Sequence, residues 1–355
     1  MSVTQRKAPL RIGVVQFCPK IGEVENNITR ARELCRNIEP RSIDFLCFSE
    51  MAFTGYVFDS AKAISPYLED PRTGPTSKFC QELAMHLSCY VVAGYPERLA
   101  SHEVEPHDHV EKTNEALESA KSEEKSQIRM QVGANSLALY GPSGEWIGGY
   151  RKTNLFETDM TWAKPGTGFT TFSQEHNPHL TNVTFGICMD LNPQPPVLWT
   201  SSDGPYELAD YCIKSETRLL IMLNSWLDSG TEDEDSIEED EGDAEHSHDW
   251  QTLRYWSARL LPLWKRDGRR RGSTDTIYSG SSNASEGEQE DIAEEEERTP
   301  SETIVVICNR SGEENGKTFA GSSAIFSMNA GSGRPKLLDM MSRRGEEVRV
   351  WNLLV

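Results

Sequence analysis

No apolar run in this 355-residue chain is long enough to cross a bilayer, which excludes a helical membrane span. Its opening residues, Met1 to Lys7, carry no hydrophobic stretch of a secretory leader, and the expectation is a soluble cytoplasmic protein. Cys-x-x-Cys pairs and compact Cys/His clusters are missing, so a structural zinc site is not expected. A Gly-rich phosphate loop and an internal repeat are missing too. The eight cysteines, at 18, 35, 47, 80, 89, 188, 212 and 308, have no paired spacing and mostly sit inside apolar segments, the pattern of reduced buried thiols rather than a disulfide framework. A sustained basic stripe is lacking in a chain of net charge −20, which argues against nucleic acid as a partner.

The acid is not spread evenly. It gathers in segments almost without apolar residues, from Thr231 to Glu245 and from Glu286 to Glu297, which read as solvated loop expansions. The expected organisation is one domain over 9–355 carrying polar or acidic insertions at about 99–130, 229–249 and 266–302. His102, His107, His109, His246 and His248 fall in these insertions, a poor setting for the ordered ligands that a metal site needs. Arg269, Arg270 and Arg271 form a short basic cluster that leaves a nuclear location open beside the cytoplasmic one. Between the insertions, strands at about 11–17, 44–49, 90–95, 135–140, 145–150, 183–188, 218–223, 304–308 and 322–327 interleave with helices near 25–38, 74–88, 204–214 and 250–262. That is an α/β domain, in which periodicity alone does not separate a doubly wound sheet from a two-sheet sandwich.

Three segments carry chemistry. In Thr184-Phe185-Gly186-Ile187-Cys188-Met189-Asp190 a β-branched, apolar strand delivers a thiol to a turn, where a scaffold can aim it into a cleft. The strand Asp44 to Ser49 likewise ends on Glu50 and runs into a loop containing Gly55 and Tyr56. A hairpin after Gly141-Pro142-Ser143-Gly144 closes on Arg151 and Lys152. Each has a plain alternative: a small buried hydrophobe, a turn-capping carboxylate, a solvated cation pair.

Taken together and in this order, these segments resemble the nitrilase, or carbon–nitrogen hydrolase, superfamily over most of the chain. Residues 11–17 look like its first strand, Glu50 with Gly55-Tyr56 like its Glu loop, Tyr150-Arg151-Lys152 like its Lys motif, and Gly186 to Asp190 like its Cys motif. The run from Tyr150 to Gly166 and the run Cys188 to Pro193 look most like the fungal protein N-terminal amidases, which deamidate amino-terminal Asn and Gln. The resemblance implies an αββα sandwich of two packed mixed sheets with outer helix layers. It also implies deamidation of N-terminal Asn and Gln to Asp and Glu with loss of ammonia, feeding an N-degron degradation pathway. The alternatives are a small-molecule amidase of the ω-amidase or carbamoylase type, or an inactive scaffold.

The chemistry needs neither metal nor cofactor. Cys188 attacks the amide carbon, Glu50 moves the proton, and Lys152 with the Met189 N–H stabilises the oxyanion, through a thioester. Many members carry a second carboxylate shortly after the Lys. Here Asp159 stands where several relatives have Glu, one methylene short, and Glu157 lies nearby. Asp159, Glu157 and Asp190 are therefore all candidates either to support Lys152 or to read the α-ammonium of a substrate terminus. Tyr56 and Trp226, the latter on the loop after the strand at 218–223, are each either a pocket wall or a core aromatic. The expected partner is a peptide or protein beginning with Asn or Gln, with the oligomeric state open.

Overall fold

The computed structural model describes residues 9–104, 131–173, 182–200, 202–231, 247–265 and 302–354. Most of the first insertion and much of the two acidic ones, with His107, His109, His246 and the arginine cluster, lie outside the described residues.

Two six-stranded mixed sheets pack face to face. The first contains β1 (Pro9–Gln16), β2 (Phe45–Phe48), β3 (Tyr90–Arg98), β4 (Gly133–Tyr140), β5 (Trp146–Arg151) and β14 (Glu347–Leu354), in the order β14-β1-β2-β3-β4-β5. The second contains β6 (Thr170–Phe172), β7 (Val183–Ile187), β8 (Leu219–Asn224), β9 (Glu302–Asn309), β12 (Ala324–Asn329) and β13 (Lys336–Met340), in the order β13-β12-β9-β8-β7-β6. A small hairpin, β10 (Glu313–Glu314) with β11 (Lys317–Thr318), lies apart.

In each sheet three central strands run parallel, an antiparallel strand closes one edge and an antiparallel pair continues the other. Five of these elements, the short edge strand β6, the small hairpin and the two late strands β13 and β14, have no counterpart among the strands expected from sequence. Their two- and three-residue lengths, or their alternation of charged and apolar residues at a sheet edge, give no apolar run to detect.

The central strands are apolar throughout because both of their faces are covered. Ile12 and Val14 of β1, Phe45 and Cys47 of β2, Leu219, Ile221 and Leu223 of β8, and Val306 and Cys308 of β9 point between the sheets. Their neighbours point the other way, as a two-residue period requires. Val15, Leu46 and Phe48 meet the layer of α1 (Val24–Cys35) and α3 (Pro75–Leu87), after the single turn α2 (Ala61–Ile64). Leu220, Met222 and Val305 meet α4 (Glu207–Lys214) and α5 (Trp250–Arg259). The result is the αββα sandwich that the resemblance implies. Helix α3 starts on Pro75, whose missing N–H costs nothing at a first helical position, and ends on Ser88 in the left-handed region. A fourth apolar cluster, with Met51, Tyr56, Leu155, Trp162 and Phe319, packs under the loops at one end of the strands.

Candidate active site

Strand ends bring the three motifs together. Strand β7 stops at Ile187, and Cys188 opens a 3₁₀ turn to Leu191 with φ 45°. A non-glycine residue in that region is strained by about 1–3 kcal/mol, and persists only where the surroundings hold it. Asp190 does much of the holding. Its two oxygens accept from the N–H groups of Thr153 (3.0 Å) and Asn154 (2.9 Å), and from the Ile187 N–H (2.8 Å) and the Tyr150 hydroxyl (2.7 Å). The Cys188 N–H donates to Asn224 Oδ1 at 3.1 Å, and buried Arg259 donates to the Leu191 carbonyl at 3.1 Å. The turn is thereby tied to β5, β8 and α5 at once.

Glu50 follows β2 and is fully buried. Its placement needs Gly94 of β3: a Cβ there would stand 2.7 Å from Glu50 Cα and 2.7 Å from the Met51 nitrogen. Lys152 follows β5, also fully buried, and its Nζ donates to Glu50 Oε1 at 2.7 Å and to Asp159 Oδ2 at 2.6 Å. Asn135 of β4 bridges the two carboxylates, donating 2.7 Å to Glu50 and 2.9 Å to Asp159. The Ser225 N–H reaches Glu50 Oε2 at 2.8 Å, and the Tyr56 hydroxyl donates to Asp159 at 3.3 Å. Two carboxylates and one ammonium in a dry setting leave one negative charge without a cation.

The electrostatics follow. Burial raises the Glu50 pKa, and the Lys152 charge opposes this only in part. Burial works against the Lys152 ammonium, but Asp159 and then Glu50 outweigh it, so Lys152 stays charged. Burial also pushes the Cys188 thiol well up, the Glu50 charge adds to this, and Lys152 and the Ser225 N–H offset it incompletely. A thiol in that state is neutral at physiological pH and needs a base to become a nucleophile. Glu50 Oε1 already accepts two hydrogen bonds, whereas Oε2 accepts only the Ser225 N–H among these contacts, so Oε2 is the oxygen free to take a proton.

Cys188 lines a cleft of about 410 Å³, within the usual range for ligand pockets. Tyr56, Met189 and Trp226 line it as well. Glu157 is exposed and is not among the lining residues, although its neighbour Phe156 is. Of the three carboxylates read from sequence, Asp159 is thus the one placed on Lys152, Asp190 is spent on the backbone of two loops, and Glu157 stands apart from both tasks. Asp159 and Asp190 thus spend their oxygens on hydrogen bonds within the protein, while Glu157 is exposed next to Phe156, which does line the cleft.

Other contributors had weak signals or none in the sequence. Asn135 and Ser225 lie in apolar strands or just after them, and nothing in their spacing marks them. Helix α5, which helical spacing assigns to core packing, does bury Leu253 and Trp256, yet it also turns Gln251, Thr252 and Tyr255 to the cleft. The segment read as an acidic insertion is rooted at the same place, its ends joined by Ser229 N–H to Asp249 Oδ2 at 2.8 Å and Thr231 to Gln251 at 2.8 Å.

A two-sheet sandwich whose strand ends converge on a thiol, a buried carboxylate and a buried ammonium is the frame of a thiol amidohydrolase. The sequence profile of carbon-nitrogen hydrolases matches residues 11–204, more than half of the chain, and the protein belongs to that family of enzymes acting on carbon–nitrogen bonds. It is 28% identical over 337 residues to the protein N-terminal amidase of Schizosaccharomyces pombe, spanning 91% of this chain and 92% of the relative. Among solved structures, an N-terminal amidase superposes with a TM-score of 0.69 at 20% identity, covering 98% of both chains. The crystal structure of N-terminal amidase with an Asn-Glu-Ala peptide gives 0.70 at 19% identity, again with 98% of both covered. The structural likeness establishes the shared fold.

Among the described residues no helix is long and apolar enough to cross a membrane, and no group of three His, Cys, Asp or Glu stands ready to hold a metal ion.

Proposed function

We propose that the protein removes the side-chain amide of amino-terminal Asn and Gln, giving Asp and Glu termini and ammonia. The observation that carries this is the buried Glu50–Lys152–Asp159 cluster beside a neutral thiol in a ligand-sized cleft, in a chain aligned over nine-tenths of its length with a protein N-terminal amidase. In this reading Glu50 Oε2 takes the Cys188 proton as Sγ bonds to the carboxamide carbon. Lys152 Nζ and the Met189 N–H hold the developing oxyanion. Glu50 returns the proton to the departing nitrogen, ammonia leaves, and a thioester remains. Water then gives a proton to Glu50 while its oxygen attacks the thioester. The carbon–sulfur bond breaks, Cys188 recovers its proton from Glu50, and the carboxylic acid product passes its own proton to the released ammonia or to solvent and leaves as a carboxylate. Asp159 keeps Lys152 charged throughout, and Asn135 fixes the spacing of the two carboxylates.

Tyr56 and Trp226 wall the cleft in this account, and no metal or cofactor takes part. The new acidic termini are the kind that an N-degron pathway consumes, and eight unpaired thiols suit the cytoplasm.

Ammonia release from Asn- and Gln-initiated peptides tests the reading. Release that disappears on α-acetylation and in Cys188→Ala is the expected result. Equal release from acetylated peptides or free small amides would move the assignment to another amidase of the family.

A further inference from the structure

We propose that Asp228 reads the α-ammonium group of the substrate and so confines the enzyme to chain ends. This rests on the amino-terminal amidase reading above and assigns the part of it that the catalytic cluster leaves undone.

An enzyme acting on a side-chain amide only at a free terminus must bind the ammonium three or four bonds from the carbon attacked. Among the described residues lining the cleft, Asp228 is the one carboxylate. The other carboxylates near the site are committed elsewhere. Asp190 accepts four hydrogen bonds, filling its lone pairs. Asp159 accepts from Lys152, Asn135, Tyr56 and the Phe156 N–H. Glu50 keeps one open position, which the proton transfer requires.

Asp228 is differently placed. It follows Ser225 and Trp226 by a few residues, and its own N–H is fixed to the Thr318 carbonyl at 2.9 Å. Among the described residues, Oδ1 accepts the Gly230 N–H (2.8 Å) and Oδ2 accepts Arg344 Nη2 (2.9 Å), one hydrogen bond each, which leaves lone-pair capacity for a further donor. The side chain is 9% exposed, hence partly desolvated, and an ammonium bound there gains more than it would at an open surface. Arg343 Nε stands 3.6 Å from Oδ2, and Arg343 also lies 3.6 Å from Asp249. Two arginines facing two aspartates make the rim neutral before substrate arrives, while the guanidinium of Arg344 orients the Asp228 carboxylate. An α-acetyl group removes both the charge and two of the three donors, and meets a carboxylate that cannot hydrogen-bond to an acyl oxygen.

The test compares Asn- and Gln-initiated peptides with their desamino counterparts, succinamoyl and glutaramoyl peptides, which keep the amide and lose the amine. Wild type is expected to favour the free amine by on the order of 10²-fold in kcat/KM. Asp228→Asn is expected to bring that ratio to within a few-fold of one, because the free-amine rate falls much further than the desamino rate. A structural defect would lower both rates together, and an intact preference in Asp228→Asn would overturn the assignment while leaving the amidase reading standing. Wild type showing no preference would instead overturn the amino-terminal reading itself, and this inference with it. If Asp228→Asn does not fold, Asp228→Glu carries the test, since it keeps the charge and both arginine partners. Its extra methylene displaces the carboxylate, so the free-amine rate falls further than the desamino rate, and an unmoved ratio counts against Asp228.

Discussion

Strands β1, β2 and β3 run parallel in one sheet as β7, β8 and β9 do in the other, with antiparallel neighbours at matching places. The ends of matching strands have different occupants. Strand β7 ends against Cys188, which is strained, neutral and lining a cleft. Strand β1 ends on Gln16, which is buried and wholly structural: its amide donates to the carbonyls of Ser342 (2.7 Å) and Gly345 (2.9 Å) and accepts from the Ser323 N–H (3.0 Å). Strand β2 leads to Glu50, while β8 leads to Ser225, whose N–H and hydroxyl bind that same residue. One sheet thus supplies the buried carboxylate, the bridging amide and the ammonium, and the other supplies the thiol and part of the cleft wall; in the proposed reaction that carboxylate and thiol are base and nucleophile from opposite sheets. The fold offers equivalent strand ends twice, and side chains divide the labour. A reaction needing a nucleophile and a base from opposite sides of a small group gains from drawing them from facing sheets, because the inter-sheet core fixes their spacing.

The contrast can be broken at several points. Cys188→Ala should lose at least about 10⁴-fold in kcat while melting near wild type, since it removes the reacting atom and little packing; steady-state ammonia release with a thermal melt checks it. Glu50→Gln should cost about 10³-fold and abolish the rising limb of the pH–rate profile. Wild-type activity should climb with pH through a midpoint above the usual carboxylate range, because burial raises the Glu50 pKa and the base acts only when ionised. If Glu50→Gln kept that limb, another group would be the base.

Glu69 sharpens the comparison of buried carboxylates with and without a cation. Burial pushes its pKa from 4.5 up to about 7, against donation from Thr76 N–H and Oγ1. The folded state then binds the extra proton between those values, so its stabilising share is whole below pH 4.5 and is lost as pH rises through about 7. Relative to Glu69→Gln, wild type should lose on the order of 3 kcal/mol over that window, measured by denaturant melts at pH 4.5 and 8.

Gln16→Ala should cost about 2 kcal/mol of stability by orphaning three backbone groups, with thiol alkylation of Cys188 little changed. Gly94→Ala, whose Cβ meets the Glu50 backbone, should cost about 1–3 kcal/mol of stability and lower kcat, read by a thermal melt and by ammonia release. Equal activity losses in Gln16→Ala and Cys188→Ala would refute the division of labour between matching strand ends.

Much of this was legible in the chain itself. The apolar runs of the central strands and the punctuating Gly141 to Gly144 turn follow from periodicity and composition, because strands buried on both faces have few alternatives to continuous apolar sequence. Cys188, Glu50 and Lys152 stand out because a reactive side chain at the end of such a run is placed where packing no longer needs an apolar residue. Asn135 did not stand out, since one polar residue inside Gly133 to Tyr140 looks like any interruption until its two carboxylate partners are seen.

What the sequence determined, then, was the apolar central strands and the placing of Cys188, Glu50 and Lys152 at strand ends, for each is written locally. Tertiary structure alone decided which donors each carboxylate meets. Asp159, Asp190, Glu157 and Asp228 are chemically similar on paper, and differ only in how many donors surround them and how much water is left. It also decided that α5 walls the cleft as well as filling the core, and that two sheets with unlike sequences share one pairing scheme. Those properties depend on which distant segments meet, and hydrogen-bond capacity, burial and field are set by neighbours in space rather than neighbours in the chain.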